Sequence, residues 1–582
     1  CQFILQQGQF LADVAIFSEE DAPNNLGRTD NAGREGMPHG YDYDYLNVDV
    51  LANATVENGR ITLPSGMSYR LLVFKKSHTM TPKLARKVRE LVQDGALILG
   101  PKPKRSPSLV GYPECDNEVR AIADVVWGDV NGKNVKEHAF GKGRVYDGMT
   151  IEAVLKSDGV SPDMLWSEGK LNWEHRQIDG TDFYFVSSRE KKSVSTELSL
   201  NIEGKIPEFW YPDTGKTETC GVWRTDKGRT IIPLELDPYG SRFIVFRKAG
   251  APLVTDLEAS FEHEGYELVI TKAMYGSVVS DASDKQVDVT EKIKAQVAAG
   301  NSTITARNEL VGRDPAHGVA KKLVLDYTVG GKVHAVTIPE GKTLTLSPPL
   351  YASVRIADGK PQLVVSDNGT YTITTPSGTK SITVDALPKP EIVSGPWNVS
   401  FPPKLGAPES AIFTELISWP DHTLEGIKYF SGTARYRTDF EVPAAMFGKG
   451  KQISIDLGRV EVIAELFVNG KSAGTLWKPP FKADISSLVK PGKNQLEVRV
   501  TNQWRNRLIG DAQLPQPLFY QAGPNGSCIK GWPEWLVNGQ AKPDDGCITF
   551  TTYRHYKKDS ELFPAGLIGP VQIKCTEVLS VQ

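Results

Sequence analysis

Three runs of strict alternation between residues 433 and 501 constrain this chain more than anything else in it. In the first, Tyr436, Thr438, Phe440 and Val442 share one face, and Arg435, Arg437, Asp439 and Glu441 share the other. In the second, Val460, Val462, Ala464, Leu466 and Val468 share a face, and Asn469-Gly470 closes a hairpin of the kind that needs positive φ. In the third, Leu496, Val498 and Val500 alternate with Glu497, Arg499 and Thr501. Period-two patterning puts one face in a core and one in water, so the region predicts an antiparallel β-sandwich or jelly roll.

The rest of the chain divides by pattern. Its 582 residues are too many for one core and suggest roughly three to five domains. Residues 1–165 read as α/β. A helix is expected over 1–11, a buried strand over Ala12–Phe17, a short helix over Tyr41–Leu51 and a strand over Arg70–Phe74. Thr81-Pro82 then opens a helix whose apolar stripe is Leu84, Val88, Leu91 and Val92, with Gly95 at its end and a third strand at Ala96–Leu99. A further helix is expected over Val119–Val126, and residues 140–146 read as a turn into a strand. Strands alternating with helices predict a parallel sheet, here flavodoxin-like. Residues 166–250 read as a small β-sandwich, 251–390 as an accessory β-rich unit, and 391–582 as the jelly roll, with the Pro/Ser-rich stretch 388–408 as a linker.

Bulk properties narrow the function. A net charge of -3 gives no electrostatic footprint for nucleic acid. No apolar run reaches the roughly 18–20 residues of a membrane span. The six cysteines form no CxxC pair, so zinc has no support, while Cys528 and Cys547 flank a Gly/Pro/Trp-rich loop and are candidates for a disulfide. Such a bond would favour an oxidising compartment. The chain opens on Cys1, which suggests either a fragment of a larger protein or a lipid-modified cysteine.

Candidate binding chemistry concentrates in two places. The segment EGMPHGYDYDYLN brings together Glu35, His39, Tyr41, Asp42, Asp44 and Asn47. Carboxylates and amides hydrogen-bond sugar hydroxyls, and tyrosine rings cover an apolar sugar face. Asp42, Asp44 and Asn47 also carry oxygens suited to calcium, although first-turn aspartates at a helix dipole and packed tyrosines explain the same residues. In GWPEWL, Trp532 and Trp535 sit in a Gly/Pro-rich loop as candidate sugar platforms, or as anchors of that loop. Trp477 beside Pro479-Pro480-Phe481, and Trp504 beside Arg505 and Arg507, read either as a carbohydrate-binding surface or as jelly-roll core packing with the arginines stacked on tryptophan. His175, in WEHRQIDG, reads as a structural hydrogen-bonder rather than a base.

The ordered series CQFILQQGQFLADVAIF, EDAPN, GYDYDYLN, LPSGMSYRLLVF, WEHRQIDGTDFYFVSS, WKPPF, TNQWRNRLIGD and FPAGLIGPV resembles glycoside hydrolase family 106, the α-L-rhamnosidases. The resemblance covers 1–250 and 410–582. Its last part is similar to the galactose-binding-like "sugar-binding" jelly roll attached to large glycosidases. What it implies is inverting, calcium-assisted removal of terminal α-L-rhamnose from oligo- or polysaccharides, with one carboxylate as acid and one as base for water. In that family the two carboxylates lie on a barrel preceding a helix like CQFILQQG, so the catalytic residues and most calcium ligands are expected upstream of Cys1. The implied location is periplasmic or extracellular, in a polysaccharide-degrading bacterium. Competing readings are a β-galactosidase-type exo-glycosidase, a non-catalytic carbohydrate-binding or structural module, and a cell-surface adhesin.

Overall fold

The computed structural model describes residues 1–581 except 21–35, 76–77, 191–192, 261–268, 278–285, 299–302, 320, 330–331, 342, 346–351, 515–519, 524–525, 544–546 and 550. Near the N-terminus lie strands β1 (Val14–Phe17), β2 (Tyr43–Leu46), β3 (Leu71–Val73), β4 (Leu97–Leu99), β5 (Glu137–Phe140) and β6 (Gly143–Tyr146). They form one sheet in the order β2-β1-β3-β4-β6-β5. All neighbours run parallel except β5, which pairs antiparallel with β6. Taken alone, the parallel strands have the doubly wound order 2-1-3-4-5. The sequence of β1 explains why this sheet is interior. All four of its residues are buried: Val14 and Ile16 face one core, Ala15 and Phe17 the other. Helices α2 (Pro82–Asp94) and α3 (Glu114–Val126) cover one face, and α4 (Ile151–Ser157) with the segment around Tyr41 covers the other.

Helix α2 follows its sequence signals closely. The Thr81 hydroxyl accepts from the Leu84 amide at 3.3 Å, Pro82 takes the first turn, and Gly95 ends the helix at φ 124°. Two other expectations are corrected. Residues 1–11 are not a helix: a single 3-10 turn at Ile4–Gln6 gives way to a strand, Gln9–Phe10, on the edge of the next sheet. Gly8 makes that change of direction at φ 61°, where an added Cβ would strike the Gln177 carbonyl. Tyr41–Leu51 is not one helix either. Its tyrosines alternate with aspartates, so the first half becomes β2, and only Val48–Ala52 is helical (α1).

The chain then builds a two-sheet sandwich. Leu171–Ile178, Thr181–Ser188, Ser241–Ala249, Lys205–Trp210 and Thr217–Thr219 lie in one sheet, with Gln9–Phe10 on its edge. Met164–Trp166, Val194–Leu200, Arg229–Leu236 and Arg224–Asp226 form the other, and Trp173, Tyr184, Leu198, Ile232 and Phe246 fill the space between. Strand Asp256–Ser260 pairs with Gly369–Thr375, so the β-rich unit built on Val269–Ser277, Lys321–Val329 and Lys332–Pro339 is an excursion between them.

In the C-terminal region one continuous core runs from Val254 and Ala352 to Val581. Ala352–Ala357 and Lys360–Val365 join Gln572–Ser580, Lys451–Asp456 and Lys482–Asp484 in one sheet. The facing sheet is ordered Ser410–Phe413, Trp397–Ser400, Thr433–Val442, Gly492–Thr501, Ile463–Val468, Lys471–Leu476. The alternation read from sequence is realised here: Tyr436, Phe440, Val442, Leu466, Val468, Leu496, Val498 and Val500 are buried. Asn469-Gly470 turns at φ 49° and 77°. The presumed linker 388–408 is corrected: Trp397, Val399 and Phe401 are buried, and Trp397–Ser400 is an interior strand beside Thr433–Val442. Six prolines in that stretch masked the Trp-x-Val-x-Phe alternation. The sandwich docks on this region through Lys478, 2.8 Å from Asp213, and through Gly221, where a Cβ would lie 1.8 Å from the Val354 carbonyl oxygen.

Trp397→Ala is expected to cost about 3–5 kcal/mol in urea unfolding, as for a large core residue. A linker tryptophan would cost almost nothing.

Candidate functional site

The segment 36–47 is held by the fold at nearly every polar group it was expected to offer a ligand. Glu35 lies outside the described residues. The His39 ring packs tilted against Trp166 with centroids 3.9 Å apart, and burial lowers its pKa. Tyr41 is buried under the parallel sheet and donates its hydroxyl to the Val160 carbonyl at 2.9 Å. Asp42 Oδ1 accepts from the Tyr43 amide at 3.0 Å. Asp44 accepts from the Tyr45 amide at 2.7 Å and, through Oδ2, from the Tyr69 hydroxyl at 2.8 Å. Burial first, and that carboxylate second, drive the Tyr69 pKa up. Asn47 caps α1 through the Val50 amide at 3.0 Å. These oxygens accept from different donors. Among the described residues no group of three His, Cys, Asp or Glu side chains is placed to hold a metal.

What the sequence understated is the network beside this segment. Gly40 O accepts from the Asp163 amide at 2.8 Å, which brings the Asp163 carboxylate under the sandwich. There Asp163 Oδ2 lies 2.7 Å from His175 Nδ1, and Oδ1 accepts from the Tyr184 hydroxyl at 2.6 Å. His175 Nε2 lies 3.4 Å from Asp182 Oδ1. Lys205 and Gln177 donate to Asp182 at 2.7 and 2.8 Å. His175 and Tyr184 are cross-strand partners whose rings stack at 3.9 Å. Arg229 donates to the carbonyls of Pro162, Asp163 and Ser199. Burial alone would lower the His175 pKa, but the hydrogen bonds to Asp163 and Asp182 outweigh it and leave it raised to about 9. Burial opposes ionisation of Asp182, yet His175, Lys205 and Gln177 hold it at about 2. One sequence signal pointed here: Asp182 and His175 occupy inward positions of otherwise apolar alternating strands.

The C-terminal candidates sit on a long excursion between helix Arg505–Asp511 and strand Gly566–Gly569. Trp532 is 61% exposed, and Trp535, at the start of the short helix Glu534–Val537, is half-buried. Trp477 is also exposed. Arg505 stacks on Phe563 rather than on a tryptophan, with its guanidinium 3.2 Å from the ring centroid. Arg507 is buried and paired with Asp511 at 3.0 Å. No disulfide joins Cys528 and Cys547, the candidate pair.

Residues 1–224, which contain the parallel sheet, segment 36–47 and the His175 network, match glycoside hydrolase family 106, described as alpha-L-rhamnosidase. Residues 1–224 thus carry the match to this family. The chain is similar along 99% of its length to a rhamnosidase of Novosphingobium sp. PP1Y, with 26% identity and a TM-score of 0.62, and covers 40% of that chain. It is also 32% identical, over 98% of its length, to a Formosa agariphila protein provisionally named a beta-glucuronidase, and spans 56% of that protein.

Family 106 chemistry calls for a carboxylic acid and a carboxylate facing an open sugar site. The buried carboxylates described here do not offer that pair. Asp163 and Asp182 are committed to His175, Tyr184 and Lys205, and Asp13 to Arg60 at 3.4 Å. Burial raises the Asp13 pKa, and Arg60 opposes that rise. These three carboxylates serve the junction between the α/β sheet and the sandwich.

That junction makes stability depend on pH. A histidine raised from 6.5 to about 9 by folding contributes stability that is complete below about pH 6.5 and disappears as pH rises through about 9. Up to about 3 kcal/mol is at stake. Urea midpoints measured between pH 6 and 10 should fall across that window, and His175→Gln should flatten the fall while lowering stability at pH 6.

Proposed function

We propose that this chain is the supporting region of a glycoside hydrolase that removes terminal α-L-rhamnose from oligo- or polysaccharides by inverting hydrolysis. The observation that carries the reading is the similarity of 99% of the chain to the Novosphingobium rhamnosidase, joined to the family match over 1–224. The acid and base carboxylates belong, in this reading, to the remainder of the longer protein, as do the ligands of any calcium that assists. The strand order 2-1-3-4-5 supports a flavodoxin-like assignment of the first domain, and the two facing antiparallel sheets of 352–581 support a galactose-binding-like jelly roll. In this reading the enzyme works in the periplasm or outside the cell, where a polysaccharide is met.

A second reading has one observation in its favour. The Formosa protein provisionally named a beta-glucuronidase shares 32% identity over almost all of this chain. The two readings differ in the sugar released, not in the role of this region.

A protein carrying this chain together with the remaining length of its family should release rhamnose from 4-nitrophenyl α-L-rhamnoside, and NMR should show the β-anomer first. A chelator should reduce the rate, and the 582-residue chain alone should turn nothing over. Release of glucuronate from a β-glucuronide, with no rhamnose, would replace the first reading with the second.

A further inference from the structure

The excursion between Arg505–Asp511 and Gly566–Gly569 is pinned by groups other than its aromatic rings. The Asn506 side chain donates to the Phe563 carbonyl at 2.7 Å and accepts from the Phe563 amide at 2.9 Å. Asp511 Oδ2 accepts from the Ile548 and Thr549 amides at 3.1 and 2.6 Å. Gln513 donates to the Lys558 carbonyl at 2.7 Å. The Arg554 amide bonds the Ser527 carbonyl at 2.9 Å, and the Ile529 amide the Thr552 carbonyl at 3.0 Å. These bonds fix the backbone at Ser527, Ile529, Ile548, Thr549, Thr552, Arg554, Lys558 and Phe563 without burying the rings of Tyr553 and Phe563, residues that remain 39% and 42% exposed.

Those rings form a row. Phe563 stacks beneath Arg505, whose guanidinium lies 5.1 Å from the Tyr556 ring. Tyr556 neighbours His555 at 6.3 Å, and His555 neighbours Tyr553 at 5.9 Å. Cations border the row. Residues 553–558 read YRHYKK, with Arg554, Lys557 and Lys558 exposed. Among the described residues no carboxylate pairs with any of these three. Exposed rings on a fixed backbone are an interaction surface rather than a core, and low ordering cost favours binding there.

We propose that this row binds an anionic polysaccharide of the uronate class. Pyranose C–H faces lie on Tyr553, Tyr556 and Phe563, and the sugar carboxylates meet Arg554, Lys557 and Lys558. The overall charge of -3 makes the cationic row a local device and argues against a general nucleic-acid surface. The proposal does not depend on the hydrolytic reading, because a rhamnose-free polymer tests it.

Affinity electrophoresis of the 582-residue chain through gels containing polygalacturonate should show retardation. Gels containing neutral dextran should show none. Lys557→Glu combined with Lys558→Glu should weaken binding at least tenfold, as should raising salt from 0.05 to 0.5 M. Tyr553→Ala should weaken it severalfold, and Tyr553→Phe should restore it, since the ring face rather than the hydroxyl makes the contact. Circular dichroism checks that each variant folds, and Arg554→Gln serves as a milder second variant. Unchanged retardation in folded variants, equal retardation by dextran, or tighter binding of poly(dT) than of polygalacturonate would each overturn the proposal.

Discussion

The N-terminal half of the molecule depends on one buried arrangement, the His175 imidazole held between the carboxylates of Asp163 and Asp182. Charge in a protein interior is tolerable only when each group is compensated. Here the compensation comes from different places in the chain. Asp163 belongs to the connection leaving the α/β domain, His175 and Asp182 to neighbouring strands of the sandwich, and Lys205 to a further strand of the same sheet. Withdrawing the connection would leave His175 without its nearest partner, so domain attachment and charge neutralisation are one requirement. Arg229 and the Gly40 carbonyl extend that requirement to the segment carrying Tyr41, Asp42 and Asp44.

This changes what the polar cluster of segment 36–47 means within the region that matches family 106. Its residue types suit sugar recognition, but its hydrogen-bonding capacity is largely turned inward, to Val160, Tyr69 and the first turn of α1. The C-terminal excursion shows the opposite economy. Asn506, Asp511 and Gln513 bond its backbone at Ile548, Thr549, Lys558 and Phe563, and Tyr553, Arg554, Lys557, Lys558 and Phe563 are left exposed. Both regions combine aromatic and charged residues. They differ in which groups the surrounding fold has already used.

Much of the architecture was legible before the structure. Fully apolar runs such as Val14–Phe17 marked a sheet covered on both faces, the Thr81, Pro82 and Gly95 signals bounded α2, and period-two runs located strands of the C-terminal antiparallel sheets. The failures have local causes. Prolines around Trp397 concealed a core strand, and the alternating tyrosines of β2 were outweighed by the helix-favouring tail that follows them. Cys528 and Cys547 flank one loop in sequence yet remain separate thiols, since spacing along a chain does not bring sulfur atoms to bonding distance.

By itself the sequence determined the sheet types, the family resemblance and the residue classes available for sugar chemistry, because periodicity and ordered motifs are properties of the linear chain. Only the tertiary structure decided which of those residues are spent on the fold and which are offered to solvent. Hydrogen-bond capacity is consumed by partners far away in sequence: Asp163 by Tyr184, Asp44 by Tyr69, Asn506 by Phe563. No local pattern records those pairings.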